Sequence, residues 1–492
     1  MSADPSPEPV YLDHAATTPV LPEVAQRMAE VLRMPPGNAA ANHAAGRAAQ
    51  DIIEAARAQV AALIGARPAD IVFTSGATES NNLAITGSAS AALARGGKPH
   101  AITLATEHKS VLETVRALQS RGVAVTVLTP DSSGLLDDAV LAAAIQPATC
   151  LVSLLHVNNE TGVAQDLDAL RAVCSASGVP LHVDAAQSAG KLPLDVQGIA
   201  LLSVTAHKLG GPQGIGALYV APSHRGRIAA QMLGGGHERG LRAGTLATHQ
   251  IAGFGLACEL AGQRRESETL RVAALRERLW AGLSELPDAM QNGHPRARAP
   301  GILNVTFAGV EGESLFTSLA ELTLSTGSAC NSRNGEPSYV LRALGRDTAQ
   351  AQSSLRFSLG WSTTEADIST AITAVRRVHA QLWNQSPARP APPDHVLGEA
   401  GSVRLGTWVR FAAGLEGGVV KHVSVQLYGC PHVAAACSHV LARIRGKPLE
   451  ALAAGRPEEW RAAIDAPVEK LGAMLIIEDA LAALCRGPTT RT

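Results

Sequence analysis

"CLVSLLHVNNETGVAQDLDALRAVCSASGVPLHVDAAQSAGKLPLDVQGIALLSVTAHK", residues 150–208, decides the fold. It opens on an apolar run at 150–159, passes through a helical pattern at 167–178 that ends on a glycine, and returns to an apolar run at 180–186. A third run follows at 200–208, and "GALYVA" at 216–221 is a fourth. Short apolar runs alternating with helical stretches predict an α/β fold with a mainly parallel sheet. Asn159, Asp184 and Lys208 each close one of these runs, about 25 residues apart. In a parallel sheet the carboxyl ends of the strands face the ligand crevice. An amide, a carboxylate and an amine are therefore expected to converge on one site.

The flanking sequence adds to this site. In "DIVFTSGATESNNLAI", 70–85, a short strand at 71–74 runs into Ser75-Gly76-Ala77-Thr78 and then a helix. Small residues let the backbone approach a ligand, and a helix start presents free N–H groups that suit a phosphate. An ordinary capped helix after a strand would look the same. "TEHKSVLE", 106–113, sets His108 after another apolar run, "HAITLA". Asp184 and Gln187 stand just past a strand, where a charge is costly unless paired; a protonated ring nitrogen would pair it. Lys208 precedes a glycine-rich turn, and a lysine held in a crevice can form a Schiff base with an aldehyde. Gly211, Gly214 and Gly216 lack the spacing and context of a dinucleotide fingerprint. Taken one at a time, these residues read equally well as surface or capping groups. Together they match what pyridoxal 5′-phosphate needs: a lysine for the aldehyde, an acid for the ring nitrogen, donors for the phenolic oxygen, a flat ring over its own, and a phosphate cup.

The bulk numbers narrow the class. The chain has 492 residues and a formal net charge of −1, which gives no field for nucleic acid or a membrane surface. Seven cysteines in so long a chain do not make a disulfide framework. The start, "MSADPSPEPVYLDH", has no basic-then-apolar targeting segment, and no apolar run reaches the roughly 18 residues of a membrane span. A reduced, cytoplasmic protein is expected. "NQSPARPAPPDHVLGEAGS", 384–402, holds four prolines and reads as an extended linker. It divides a body, 1–385, from a tail, 401–492, with 386–400 between them.

Ten blocks of the body resemble the cysteine desulfurases of the class V aminotransferase family. They are "YLDHAATTP" (11–19), "SGATESNNLAI" (75–85), "TEHKSVL" (106–112), "HVNNETG" (156–162), "HVDAAQSAGK" (182–191), "AHKLGGPQGIGALYV" (206–220), "GGGHERGLRAGTL" (234–246), "STGSACNS" (325–332), "EPSYVLRALG" (336–345) and "SSLRFSLG" (353–360). The resemblance implies the fold-type I architecture of pyridoxal phosphate-dependent transferases. A large, mainly parallel-sheet domain at about 20–260 would be joined to a small α/β domain made from the N-terminal segment and about 261–385. It implies that Lys208 holds the cofactor covalently, His108 stacks on its ring, Asp184 pairs with the ring nitrogen and Gln187 bonds the phenolic oxygen. Asn159 would sit near that oxygen and the substrate amino group. Ala77, Thr78, Thr205 and His207 would bind the phosphate, with Thr245 reaching in from a second subunit of a homodimer. Arg356 would clamp the substrate carboxylate, assisted by Asn38. Cys330, set among small and polar residues, would be the nucleophile. After Lys208 removes the substrate α-proton, the Cys330 thiolate attacks the sulfur of L-cysteine, alanine leaves and a persulfide remains for a sulfur-acceptor protein. The length of the loop resembles the housekeeping iron–sulfur type. Selenocysteine lyase, of the same family, and a docking platform with little turnover are the alternatives.

The tail poses a separate question. "YGCPHVAAACSHV" (428–440), "GKPLEAL" (446–452) and "PVEKLGAMLIIEDAL" (467–481) resemble the iron–sulfur cluster scaffold protein. Of the three cysteines that family uses, only the second has a counterpart, Cys430. The third falls on Ala473, with Gly472 where a histidine is expected, and the first falls near Arg404 or Leu405. One thiolate cannot hold a cluster as the scaffold does. The expectation is a small, degenerate α+β scaffold-like domain, with Cys430 its one candidate for a metal or for sulfur and no metal site assigned.

Overall fold

The four apolar runs between 150 and 221 are neighbouring strands of a single seven-stranded sheet. In the computed structural model, which describes residues 8–326, 336–452 and 455–486, the strands are β1 (Ile71–Thr74), β2 (His100–Leu104), β3 (Ala124–Leu128), β4 (Thr149–Leu155), β5 (Leu181–Asp184), β6 (Leu201–Thr205) and β7 (Gly216–Val220). Their order is β1-β7-β6-β5-β4-β2-β3. Every neighbouring pair from β6 to β3 is parallel, and β7 runs antiparallel to both β6 and β1. A parallel sheet covered on both faces buries both sides of each strand, which explains the near-continuous apolar runs. Adjacent residues still serve opposite cores: Leu201 packs with Leu83, Val111 and Leu218, and Leu202 with Ile53, Phe73 and Phe254. This is the period of two of an extended chain.

Helices α1 (Ala44–Leu63), α2 (Ala77–Ala94), α3 (Lys109–Gln119) and α4 (Leu167–Ala176) cover the sheet. Edge strand β1 is held by a buried carboxylate. Glu238 accepts the Phe73 N–H at 2.7 Å and pairs with both terminal nitrogens of Arg57 at 2.7 and 2.8 Å. The Arg57 guanidinium lies 4.6 Å from the centre of the Phe73 ring.

The 36-residue helix α5 (Thr248–Leu283) connects two cores. Its Ile251, Phe254 and Cys258 pack against the large sheet. Its Val272, Leu275 and Leu279 pack into a second core. That second core is built on the antiparallel sheet of β8 (Ala289–Gln291), β9 (Ile302–Phe307), β10 (Ser325–Thr326) and β11 (Ser354–Ser358), ordered β10-β11-β9-β8. Helices α6 (Gly312–Thr317) and α7 (Glu365–Gln385) flank it. The N-terminal segment joins it: Val10–Tyr11 pairs with Leu322–Thr323, and Leu12 lies in this core.

The last stretch forms an antiparallel meander of β12 (Val396–Ser402), β13 (Thr407–Glu416) and β14 (Val419–Tyr428), followed by α8 (Pro431–Ile444) and α9 (Leu471–Arg486). Here the structure corrects the sequence reading, because residues 396–400, taken as linker, are strand. Gly398 is a site of close approach, not of slack: a Cβ there would stand 2.2 Å from the Leu484 nitrogen of α9. The meander packs Val409, Phe411 and Val420 against Val433, Val440, Trp460 and Ile477. It touches the preceding unit through α6, where the Ser314 hydroxyl donates to the Gly429 carbonyl at 2.9 Å and Lys470 pairs with Glu313 at 3.1 Å. No helix among the described residues is long and apolar enough to cross a membrane.

Candidate active site

The carboxyl ends of the large-sheet strands open on a cavity of about 600 Å³, within the range of small-molecule sites. Ala77, Thr78, His108, Asn159, Asp184, Gln187, Thr205, His207, Lys208 and Arg356 all line it. Ten side chains singled out along nearly 280 residues of sequence therefore meet in one space. Asn38 is exposed, accepts the Ala40 N–H at 3.0 Å and is not among the lining residues. Thr245 is likewise exposed and outside the wall of this chain. Cys330 lies outside the described residues.

Asp184 ends β5 and is only 7% exposed. Its Oδ2 accepts from the Asn81 amide at 2.7 Å and its Oδ1 from the Ala186 N–H at 2.9 Å. The two bonds fix the orientation of the carboxylate. The same Asn81 nitrogen donates to the Ser110 hydroxyl at 2.9 Å, and that hydroxyl bonds His108 Nδ1 at 2.8 Å. His108 also caps α3, its Nδ1 accepting the Ser110 N–H. Burial, with help from Lys208 and Lys109 and against Asp184, lowers its pKa, so the ring is neutral. With Nδ1 an acceptor, the ring proton sits on Nε2. Behind it, burial and then Asp184 raise the pKa of Glu107 well above its usual value, against the Leu155 N–H that its carboxylate accepts.

At the opposite end, β1 leads into α2 through Gly76, which has φ 151° and gives the helix no side-chain cap. The first-turn residues Ala77, Thr78 and Glu79 line the cavity. Only a glycine fits at position 216, where a Cβ would lie 2.7 Å from the Gly76 Cα; strand β7 must press against this turn. Glu79 does not occupy the helix start, because Arg242 Nε and the Ser75 N–H hold its carboxylate at 2.8 and 2.7 Å. His207 bonds the Thr17 hydroxyl at 3.2 Å, and burial with Lys208 and Lys191 pushes it down to about 4.

Arg356 comes from β11 in the second unit, so the cavity lies where the two cores meet. Its Nη2 pairs with Asp13 at 2.7 Å, and its Nη1 donates to the Asn159 carbonyl at 2.9 Å. Gln187 Nε2 donates to the Ala15 carbonyl at 2.8 Å. The donor set fits pyridoxal phosphate: an oriented carboxylate, an amine, an amide, a neutral imidazole and an uncapped helix start share one cavity.

An antiparallel strand inside a parallel sheet, a lysine past the strand beside it and an acid one strand further define the class V aminotransferase fold. The match to the family described as "Aminotransferase class-V" runs over residues 10–370, and the chain belongs to that family. Within it the chain is an enzyme of the pyridoxal phosphate-dependent cysteine desulfurase kind. It is 51% identical over 384 residues to the cysteine desulfurase IscS of Shewanella loihica, covering 77% of this chain and 95% of that protein. Among solved structures it resembles a NifS-like protein (TM-score 0.70, 32% identity, covering 76% of this chain and 99% of that one). It also resembles SspA solved in complex with cysteine (TM-score 0.64, 38% identity, 71% and 98%).

Asn81, Ser110 and Glu107 escaped the sequence reading although all three sit inside blocks it quoted. Asn81 lies one helical turn after Ala77, which was a signal that it turns toward the same strand ends. Nothing in a lone glutamate before His108 betrays its burial.

Proposed function

We propose that the chain converts L-cysteine to L-alanine and carries the sulfur as a persulfide on Cys330 for iron–sulfur cluster assembly or another transfer. The convergence of Lys208, Asp184, His108 and Arg356 on one cavity carries this reading. When bound, pyridoxal phosphate supplies an aldehyde that condenses with amines and a ring that delocalises negative charge from the substrate α-carbon. Lys208 would hold the cofactor, Asp184 would pair with its ring nitrogen, and Gln187 and Asn159 would serve its phenolic oxygen. His108 would stack on the ring. The start of α2, with Thr78, Thr205 and His207, would take the phosphate.

Arg356 receives the substrate carboxylate through its planar fork. Lys208 Nζ takes the proton from the substrate α-carbon. The Cys330 thiolate then attacks the substrate sulfur: an S–S bond forms, the C–S bond breaks with its electron pair left on the carbon side, and alanine is completed by one proton delivered to the β-carbon and one returned to the α-carbon from Lys208 Nζ. Neutral His108, with its proton on Nε2, stands at this wall of the cavity as a proton carrier. Cys330→Ala should keep the cofactor absorbance and lose sulfide release from cysteine and a reductant. Sulfide release at the parental rate would remove Cys330 from the reaction.

The working unit in this reading is a cytoplasmic homodimer, with a body at 1–385, a short connection, and a degenerate scaffold-like tail from about 401. The tail's Cys430 starts α8 and is buried beside Lys470, which bonds both Cys430 and Glu313 of the body. This contact places a hydrogen-bond donor at the sulfur on the side that meets the body, which supports Cys430 as an internal sulfur acceptor. In Cys430→Ser, alanine production should persist while labelled sulfur disappears from the tail peptides. Unchanged tail labelling would reject that role.

A further inference from the structure

Behind the cofactor cavity lies a second one of about 120 Å³, lined by Lys191, His14, Arg264 and Glu268. Ala15 and Lys208 belong to both cavities, while Gln187 faces the front one. Lys191 is brought there by the turn that follows β5. Gly190 has φ +69°, and a Cβ on it would lie 2.8 Å from Leu209 Cδ2, so the turn packs tightly. The Thr269 hydroxyl of α5 fixes the Lys191 carbonyl at 2.8 Å. The Lys191 Nζ then reaches Gln187 Oε1 at 3.5 Å, a distance at which the attraction is mainly between a charge and a dipole.

An amide can sit either way round, and its neighbours decide which. Gln187 is buried. Turned over, its NH₂ would face an ammonium and its oxygen would face the Ala15 carbonyl, giving two repulsions. As it stands, one Nε2 hydrogen goes to Ala15 O and the second is left for the cavity. We propose that Lys191 is a positioning residue: from the rear cavity its ammonium fixes the Gln187 amide so that a donor, not an acceptor, faces the phenolic oxygen of the cofactor.

Other charges face Lys191 from every side. Lys208 follows β6, and His14 is on the N-terminal segment. Arg264, Arg265 and Glu268 come from α5; Arg264 is paired with Glu23 and Glu268 with Arg271. Burial, and the Lys208 ammonium where it carries no cofactor, bring the Lys191 amine down to about 7, so its hold on Gln187 weakens as pH rises through neutrality.

The inference rests on the role proposed for Gln187, and the test separates the two. The midpoint of the pH-dependent change in visible absorbance of the holoenzyme is measured without substrate. A donor on the phenolic oxygen favours the deprotonated form of the bound chromophore. Gln187→Met and Lys191→Met are each expected to raise the midpoint by about one pH unit, the scale of a lost hydrogen bond or charge. The double variant should match Gln187→Met alone, and Lys191→Arg should restore most of the parental midpoint. Lys191→Gln replaces Lys191→Met if the latter does not retain cofactor. If Gln187→Met shifts the midpoint and the Lys191 variants do not, the inference fails and the Gln187 role stands. If Gln187→Met causes no shift, that role fails and the inference with it. An equal rise from Lys191→Met in the Gln187→Met background would show that the charge acts directly, and would also overturn it.

Discussion

Replacing Arg356 with lysine separates charge from geometry at the substrate carboxylate. The guanidinium is anchored from behind by Asp13 at 2.7 Å and by the Asn159 carbonyl at 2.9 Å. Its plane is therefore fixed before substrate arrives, and the remaining N–H groups of the fork can meet both carboxylate oxygens. A lysine keeps the positive charge and the attraction to Asp13 but offers a point donor. The loss is one charge-assisted hydrogen bond, about 1.5–3 kcal/mol, or roughly a 10- to 150-fold rise in KM. The bond forms on binding and persists through the reaction, so kcat should change much less. Steady-state alanine formation over a cysteine titration reads both constants. Cysteamine, which has the amine and thiol without the carboxylate, is the control; its perturbation of the cofactor spectrum should occur at the same concentration in both proteins. An unchanged KM for cysteine would refute the assignment. An equal weakening for cysteamine would show that Arg356 only shapes the cavity.

Three further outcomes follow from the same geometry. Glu238→Gln removes the buried carboxylate partner of Arg57, leaving it the more exposed Glu54 at 3.2 Å, and should cost about 1.5–3 kcal/mol of stability, read by denaturant titration. Because β1 runs straight into the turn at Gly76, cofactor retention should fall too. Glu160 is buried against the Ser338 hydroxyl at 2.5 Å, and burial raises its pKa to about 7 despite Ser338 and Arg356. The folded state thus prefers the protonated acid: it loses nothing below the unfolded value near 4.5, and loses on the order of 3 kcal/mol as pH rises through 7. Glu160→Gln should remove that part of the decline in stability between pH 5 and pH 8, and a decline equal to the parent's would contradict it. Lys208→Ala should bind pyridoxal phosphate reversibly, with nothing fixed by borohydride and no turnover; a covalent adduct elsewhere would displace Lys208 from its role.

Much of the site was legible because its residues are tied to strand ends. Asp184 and Lys208 follow apolar runs that can only be buried strands, and the parallel order sends both ends to one crevice. The turn at 75–78 was legible because small residues between a strand and a helix let the backbone approach a ligand; the press of Gly216 on Gly76 was not. What was not legible depends on contacts between distant segments. The hold of Asn81 on Asp184 spans 103 residues and that of Asp13 on Arg356 spans 343, and no local pattern encodes either. Strand β12 was hidden for a related reason. Gly398 and Gly401 read as linker residues until α9 is seen packed against Gly398.

The most direct measurement is to give the purified holoenzyme one equivalent of sulfur-labelled L-cysteine without a reductant or acceptor, then quantify alanine and map the label by peptide mass spectrometry. Alanine should form in step with bound sulfur, and the first label should sit as a persulfide on the peptide containing Cys330. Alanine without label at Cys330, or no alanine from an enzyme whose cofactor is on Lys208, would contradict cysteine desulfuration by this thiol.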